Sequence, residues 1–205
     1  MSGVSVIHVV DDDASFRTSM SRLLQAQGYR TAVYASGNAF LEKLPADEVG
    51  CILLDLHMTG VQGFELQQQL AKIGSVLPII FLTAHGDIRA GVQAIKAGAE
   101  DFLPKPVAPQ ALFECVERAL ARNAAQRQQL DRLSAMRSLV ASFTPREAEV
   151  FALFVTGKQN KQIAHELGTT VRTIKAHRQA VMTKLDVRSV AEAVSIAERL
   201  GILAG

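Results

Sequence analysis

Three adjacent carboxylates, Asp11, Asp12 and Asp13, directly follow the apolar run Val6-Ile-His-Val-Val10. Anions this close repel one another, and burying them costs several kcal/mol each unless a cation compensates. Further along, Asp55 follows Cys51-Ile-Leu-Leu54, Thr83 follows Ile79-Ile-Phe-Leu82, and Lys105 follows Asp101-Phe-Leu-Pro104. Every one of these polar residues closes an apolar run. Such a set suits phosphoryl chemistry. A hard cation such as Mg2+ takes carboxylate oxygens, keeps several waters and bridges to phosphoryl oxygens. One carboxylate can attack a phosphoryl donor to give an acyl phosphate, while Lys105 and the Thr83 hydroxyl each hold a phosphoryl oxygen. The transfer needs mainly positioning and charge neutralisation. Asp13 is instead placed to favour the N-terminus of a following helix.

These residues need a scaffold that gathers strand ends. Short apolar runs at 6–10, 31–34, 51–54, 78–82 and 101–103 alternate with amphipathic segments near 14–27, 37–44, 63–72, 88–97 and from 109 onward. The alternation predicts an α/β doubly wound, five-stranded parallel sheet, in which ligands sit beyond the carboxyl ends of the strands. That edge is where the acidic triplet, Asp55, Thr83 and Lys105 fall. Residues 109–141 read as one long polar helix. Leu112, Val116, Ala119, Leu130, Leu133 and Val140 fit heptad positions and Asn123, Gln126 and Arg137 interrupt them. Both a solvated helical linker and a dimer-forming helix are consistent with that pattern. From 142 the strand signals stop. Thr144-Pro-Arg-Glu147 reads as an N-cap, a proline at the first helical position and a capping box. Helices are expected at 145–156, 160–167, 171–185 and 189–200. Gly168-Thr-Thr170 separates the middle two, with Thr170 as a cap, which is the spacing of a helix-turn-helix.

The chain has 205 residues, 48% hydrophobic and 20% charged, an ordinary globular composition with room for two domains. No apolar run reaches the ~20 residues of a membrane helix, and Met-Ser-Gly-Val lacks the basic region and cleavage site of a signal peptide. A cytoplasmic protein without membrane contact is expected. Cys51 and Cys115 stand singly in apolar surroundings and read as small core residues. Residues 1–118 carry 9 Lys/Arg against 13 Asp/Glu, whereas 119–205 carry 13 against 7. An acidic front and a basic back suggest domains with different partners, the second facing nucleic acid.

Four strings in order, Val9-Val-Asp-Asp-Asp13, Cys51-Ile-Leu-Leu-Asp-Leu-His-Met-Thr-Gly60, Ile80-Phe-Leu-Thr-Ala-His-Gly-Asp87 and Phe102-Leu-Pro-Lys-Pro106, resemble the receiver domain of two-component response regulators. The resemblance covers about residues 4–122 and implies a flavodoxin-like fold with Asp55 as phosphoacceptor. It implies Mg2+ held by Asp11, Asp12, Asp55 and the backbone carbonyl of His57. It also implies phosphoryl-binding and switch roles for Thr83, Ala84, Lys105 and Phe102, with a cis peptide from Lys105 to Pro106. His57 and His85 take positions at which this family tunes the lifetime of the acyl phosphate. His8 reads as a strand residue of the core or edge, and His165 as a solvated helix residue.

Residues 171–188 hold five Lys/Arg and one acid. Ile174, Val181 and Leu185 form an inward stripe, so Arg172, Lys175, Ala176 and Gln179 face out, with Arg178 and Lys184 toward the flanks. Such a face suits a major groove, where Lys and Gln bond base edges and a small Ala permits close approach. Phe143-Thr-Pro-Arg-Glu-Ala-Glu-Val150, Gly157-Lys-Gln-Asn-Lys-Gln-Ile-Ala-His-Glu-Leu-Gly168 and Val171-Arg-Thr-Ile-Lys-Ala-His-Arg178 resemble the LuxR-type (NarL/FixJ) four-helix DNA-binding domain over about 142–203. The whole chain most resembles the FixJ-like subgroup. By that resemblance Lys175, Ala176 and Gln179 are base-edge candidates, while Lys161, Thr170, Thr173, Arg178 and Lys184 are phosphate-backbone candidates. Arg172 joins the DNA-binding set.

The expected organisation is a receiver at 1–122, a helical linker at 123–141 and a helix-turn-helix domain at 142–205. Expected partners are a sensor histidine kinase, double-stranded DNA with an inverted-repeat operator, RNA polymerase, and a second copy of the chain once phosphorylated. The expected activity is regulation of transcription, the only catalysis being the chain's own phosphoryl transfer and autodephosphorylation. Two other readings explain less. Asp11-Asp-Asp-Ala-Ser15 is close to the nucleophile motif of haloacid-dehalogenase-like phosphatases, but no carboxylate pair of the sort that family uses for metal follows Lys105, and Asp55 and the helix-turn-helix are left over. An RNA-binding second half would be favoured by prominent aromatic stacking residues, and the basic helix has none.

Overall fold

A computed structural model of the chain describes residues 5–43, 49–84 and 88–203. Strand and helix alternate through the first part: β1 (Val6–Val10), α1 (Ala14–Ala26), β2 (Arg30–Tyr34), α2 (Gly37–Lys43), β3 (Gly50–Asp55), α3 (Gly63–Lys72), β4 (Ile79–Thr83), α4 (Ile88–Lys96), β5 (Asp101–Pro104) and α5 (Pro109–Ala141). The strands pair in parallel in the order β2-β1-β3-β4-β5, the doubly wound arrangement that the alternation predicts. Helices cover both faces, which is why β1, β3 and β4 read as nearly continuous apolar runs. Along β1, Ile7 and Val9 pack with Met20 and Leu24 of α1 and Leu112, Val116 and Ala119 of α5. Val10 packs instead with Phe40 of α2, Leu66 and Leu70 of α3 and Ala94 of α4. Burying each such aliphatic or aromatic side chain contributes about 1.5–3 kcal/mol.

The chain divides into two compact units, Met1–Arg127 and Gln128–Gly205, and the division falls inside α5. Asn123 is fully buried. Its Oδ1 accepts from the Gly50 backbone at 3.1 Å and its Nδ2 donates to the Val76 carbonyl at 2.9 Å. One of the residues that interrupt the heptad pattern therefore serves two backbone groups of the first unit. Three of the heptad residues, Leu112, Val116 and Ala119, belong to the sheet core, and Val140 packs, partly buried, against the second core. Leu130 is exposed.

The second unit contains α6 (Pro145–Val155), α7 (Asn160–Glu166), α8 (Val171–Lys184) and α9 (Val190–Arg199). Thr144 caps α6 and closes the expected box with Glu147, and Thr170 caps α8 through the Thr173 backbone. Phe151, Phe154, Ile163, Ile174, Val181, Leu185 and Ala197 form its core, with Phe143 packed against it. No helix among the described residues is long and apolar enough to cross a membrane.

The middle of β1 buries a titratable imidazole. His8 is 1% exposed, with Nδ1 3.2 Å from the Tyr34 hydroxyl and its ring edge-on to Phe40 at 5.4 Å between centroids. Its Nε2 has no partner among the described residues. Burial pushes the imidazole down to about 4, so the folded chain refuses a proton that the unfolded chain binds near 6.5. This contribution to stability is whole above about pH 6.5, erodes as pH falls and is gone below about 4. Replacing His8 by Phe is expected to remove about 3 kcal/mol from the stability difference between those limits. Urea denaturation of both proteins at several pH values checks it, and parallel acid limbs would contradict it.

Candidate functional site

The register of the parallel sheet sets the site. Val10 lies opposite Leu54, Asp55 opposite Leu82 and Thr83 opposite Pro104, so the residues ending successive strands converge on one edge. Asp11 and Thr83 are fully buried and Asp55 nearly so. The Lys105 ammonium lies 2.5 Å from Asp11 Oδ2 and 3.3 Å from Asp55 Oδ2. Behind it stands the Phe16 ring, 4.1 Å away at the centroid. Asp12 is exposed, and its Oδ2 accepts from the Thr59 backbone at 2.8 Å. The Asp11 carbonyl accepts from Arg17 Nη1 at 2.6 Å. Asp13 stands apart from the pocket, its carboxylate capping α1 through the Ser15 and Phe16 backbones.

Asp11, Asp12 and Asp55 each offer a carboxylate oxygen, and these lie within 4.8 Å of one another. Three hard oxygen donors this close form a cluster that could bind a metal, and they suit Mg2+ or Ca2+ rather than a softer ion. Burial pushes the Asp55 carboxyl up; Lys105 pulls it down and Asp11 raises it again. A bound cation would act in the same sense as Lys105 and favour the carboxylate. The Thr59 backbone hydrogen bond holds Asp12 below the usual carboxylate range.

Around this centre, the Lys105 backbone N–H donates to the Thr83 carbonyl at 2.6 Å, and the Lys105–Pro106 peptide is cis. Ala84 is exposed just past β4. The Phe102 ring is partly buried against Gly91 of α4, where an added Cβ would stand 3.2–3.4 Å from ring carbons. The backbone N–H of His57 hydrogen-bonds to Asp55, while its side chain is exposed. His85 lies outside the described residues.

In the second unit, Arg172, Lys175, Ala176 and Gln179 are exposed on α8, and Lys161 is exposed on α7. Thr170 and Thr173 are joined through their hydroxyls at 2.8 Å at the start of α8. Two of the flanking cations are engaged within the fold. Arg178 donates to Asn160 Oδ1 at 2.5 Å and lies over the Phe154 ring. Lys184 pairs with Glu147 Oε2 at 2.6 Å and donates to the Ser142 carbonyl at 3.2 Å. The Lys184 ammonium, together with the Thr144 backbone, holds Glu147 below its ordinary range.

The two units match known families in the same order. Residues 7–117 match the response regulator receiver domain, and residues 141–197 match the luxR family of bacterial regulatory proteins. The chain is a two-component response regulator. It is 38% identical over 200 residues to nodulation protein W of Bradyrhizobium diazoefficiens, covering 98% of this chain and 88% of that one. It is likewise 38% identical over 200 residues to transcriptional regulatory protein FixJ of Azorhizobium caulinodans, covering 97% and 92%. Among solved structures it is similar to response regulator StyR, with a TM-score of 0.84 at 43% identity over 96% of this chain and 100% of that one. Full-length FixJ from B. japonicum gives a TM-score of 0.59 at 36% identity, with 97% and 98% covered. The response regulator thus pairs a receiver fold with a LuxR-type DNA-binding unit.

Several residues that shape its pocket do not stand out in the sequence. Phe16 meets the Lys105 ammonium through its ring face, Arg17 reaches the Asp11 carbonyl through its guanidinium, and Thr59 meets Asp12 through its backbone amide. Gly63 opens α3, where glycine is a poor helix former, and that misfit is its one signal in the sequence. The reason is space: its N–H donates to the Leu56 carbonyl at 3.1 Å, and a Cβ there would meet the Asp55 carbonyl oxygen at 2.7 Å and the Phe81 ring at 2.9 Å. Gly63→Ala is expected to cost about 1–3 kcal/mol of stability through overpacking. Urea denaturation reads the loss, and an unchanged midpoint and slope would contradict the close contact.

Proposed function

We propose that the response regulator accepts a phosphoryl group on Asp55 from a partner histidine kinase in a Mg2+-dependent step. The modification then promotes dimerisation and sequence-specific binding of DNA, and so regulates transcription. The observation that carries the reading is the Lys105 ammonium placed between Asp11 and Asp55 inside a cluster of three carboxylates. Asp11, Asp12 and Asp55, with the His57 carbonyl, would hold Mg2+, which supplies charge neutralisation for a transferring phosphoryl group. An Asp55 carboxylate oxygen forms the bond to phosphorus. The bond from phosphorus to the donor imidazole nitrogen breaks, and its electron pair stays on nitrogen. Lys105 exchanges the Asp55 carboxylate for a phosphoryl oxygen, and the Thr83 hydroxyl takes a second. Phosphorylation adds roughly −1.5 to −2 charge, a local change that biases the segment from Thr83 and Ala84 to Phe102.

Residues 1–122 act as the receiver, 123–141 as the linker and 142–205 as the DNA-binding part of a cytoplasmic regulator. Lys175, Ala176 and Gln179 would meet base edges, with Arg172 on the same outward face and Lys161, Thr170 and Thr173 toward the sugar-phosphate backbone. Arg178 and Lys184 are already tied to Asn160 and Glu147, so they would meet phosphates with their remaining donors while also holding α8 in place. A two-fold dimer would match an inverted-repeat operator, with RNA polymerase as a further partner.

Acetyl phosphate with Mg2+ is expected to label the full chain, and either chelation of the metal or Asp55→Asn is expected to abolish labelling. Undiminished label on Asp55→Asn would sink the assignment. On the DNA side, Lys175→Ala should weaken binding to an operator recovered by genomic selection by about 1–3 kcal/mol. Affinity titration over a range of salt concentrations reads this, and equal competition by single-stranded nucleic acid would refute the major-groove reading.

A further inference from the structure

Lys105 carries three donor protons on a flexible four-carbon stem. Two directions are taken by carboxylates, Asp11 at 2.5 Å and Asp55 at 3.3 Å. The third is closed by the face of Phe16, whose ring centroid is 4.1 Å from Nζ. Beside the ring a groove of about 460 Å³ runs along α1 and the segment between β5 and α5, touching Ser19, Leu23, Pro106 and Val107 as well as Phe16 and Lys105. With a smaller or ringless residue at position 16, the ammonium would have that groove to swing into and water to bind there.

The ring is itself held in place. Phe16 lies in the first turn of α1, and its backbone N–H donates to the Asp13 carboxylate at 3.2 Å. Asp13 also accepts from the Ser15 backbone at 2.8 Å, and its own N–H donates to Asp11 Oδ1 at 2.9 Å. A short covalent and hydrogen-bonded path therefore runs from the carboxylate on one side of the ammonium to the ring on the other.

We infer that Phe16 is a positioning residue for phosphoryl acceptance: its ring keeps the Lys105 ammonium over Asp55. This rests on the assignment of Asp55 as the phosphoryl acceptor. In the step itself the Asp55 oxygen bonds to the phosphorus of acetyl phosphate, the bond from phosphorus to the acyl oxygen breaks, and acetate departs with the electron pair. Lys105 changes partners without losing a proton. An ammonium held in position needs no ordering at that moment, whereas one that samples the groove does. A desolvated ring face attracts a cation strongly enough to change a rate by between about 2-fold and 30-fold.

The test uses the full chain as wild type, Phe16→Leu, Phe16→Met, Phe16→Tyr and Asp55→Asn. Initial labelling by acetyl phosphate with Mg2+ is measured together with the proton shifts of the Lys105 ε-methylene. The ring should move those protons upfield in the wild type and in Phe16→Tyr, and the shift should vanish in the Leu and Met variants. Both ringless variants should label at least about threefold more slowly, and Phe16→Tyr within about twofold of wild type. Should one ringless variant fail to fold, the other carries the comparison. Wild-type labelling speed in the ringless variants, an equal loss in Phe16→Tyr, or an unshifted ε-methylene in the wild type would each overturn the inference. Label surviving on Asp55→Asn would instead overturn the acceptor assignment beneath it, so the two failures are told apart.

Discussion

The first unit turns on one compensated charge. Asp11 and Asp55 are buried at adjacent strand ends, and two carboxylates there would repel strongly without a cation. Lys105 supplies it from β5's end, on the far side of β4 in the sheet. This ion pair constrains much else. It requires the β3, β4 and β5 ends to align, which the parallel register provides. It also requires Gly63, because any side chain there would push on the Asp55 backbone. The Asp13 cap orients the first turn of α1 toward the same place.

The strand ends were legible because the sheet is covered on both faces. Buried strands appear as apolar runs, and the polar residue that stops each run marks the edge where ligands bind. Helix starts were equally legible where a side chain satisfies the backbone locally, as at Asp13, Thr144 and Thr170. Contacts between residues distant in the chain were not. Asn123 looked like a flaw in a heptad, since its partners Gly50 and Val76 are remote in sequence. Phe16 looked like one more apolar residue of an amphipathic helix, and its approach to Lys105 depends on a loop some ninety positions away.

The basic helix shows the same boundary. Periodicity separated the inward stripe of Ile174, Val181 and Leu185 from the outward Arg172, Lys175, Ala176 and Gln179. It could not tell what the cations at the margin touch. Arg178 and Lys184 bind Asn160 and Glu147, on helices that pack beside α8. Desolvating a charge is costly unless it is paired, so cations at the edge of a packed face find partners within the fold first. The open middle of the face is left for a ligand.

The two cysteines add a property of a different kind. Cys51 lies in the sheet core with its thiol pushed up to about 12 by burial. Cys115 is raised to about 11 by burial and by Asp101, which accepts from its sulfur at 3.0 Å. Oxidants and alkylating reagents react with the thiolate, and the surroundings of both residues disfavour it. The two native thiols of the folded chain are therefore slow toward such reagents. A single cysteine introduced on its surface could carry a fluorophore or spin label with both native thiols left in place.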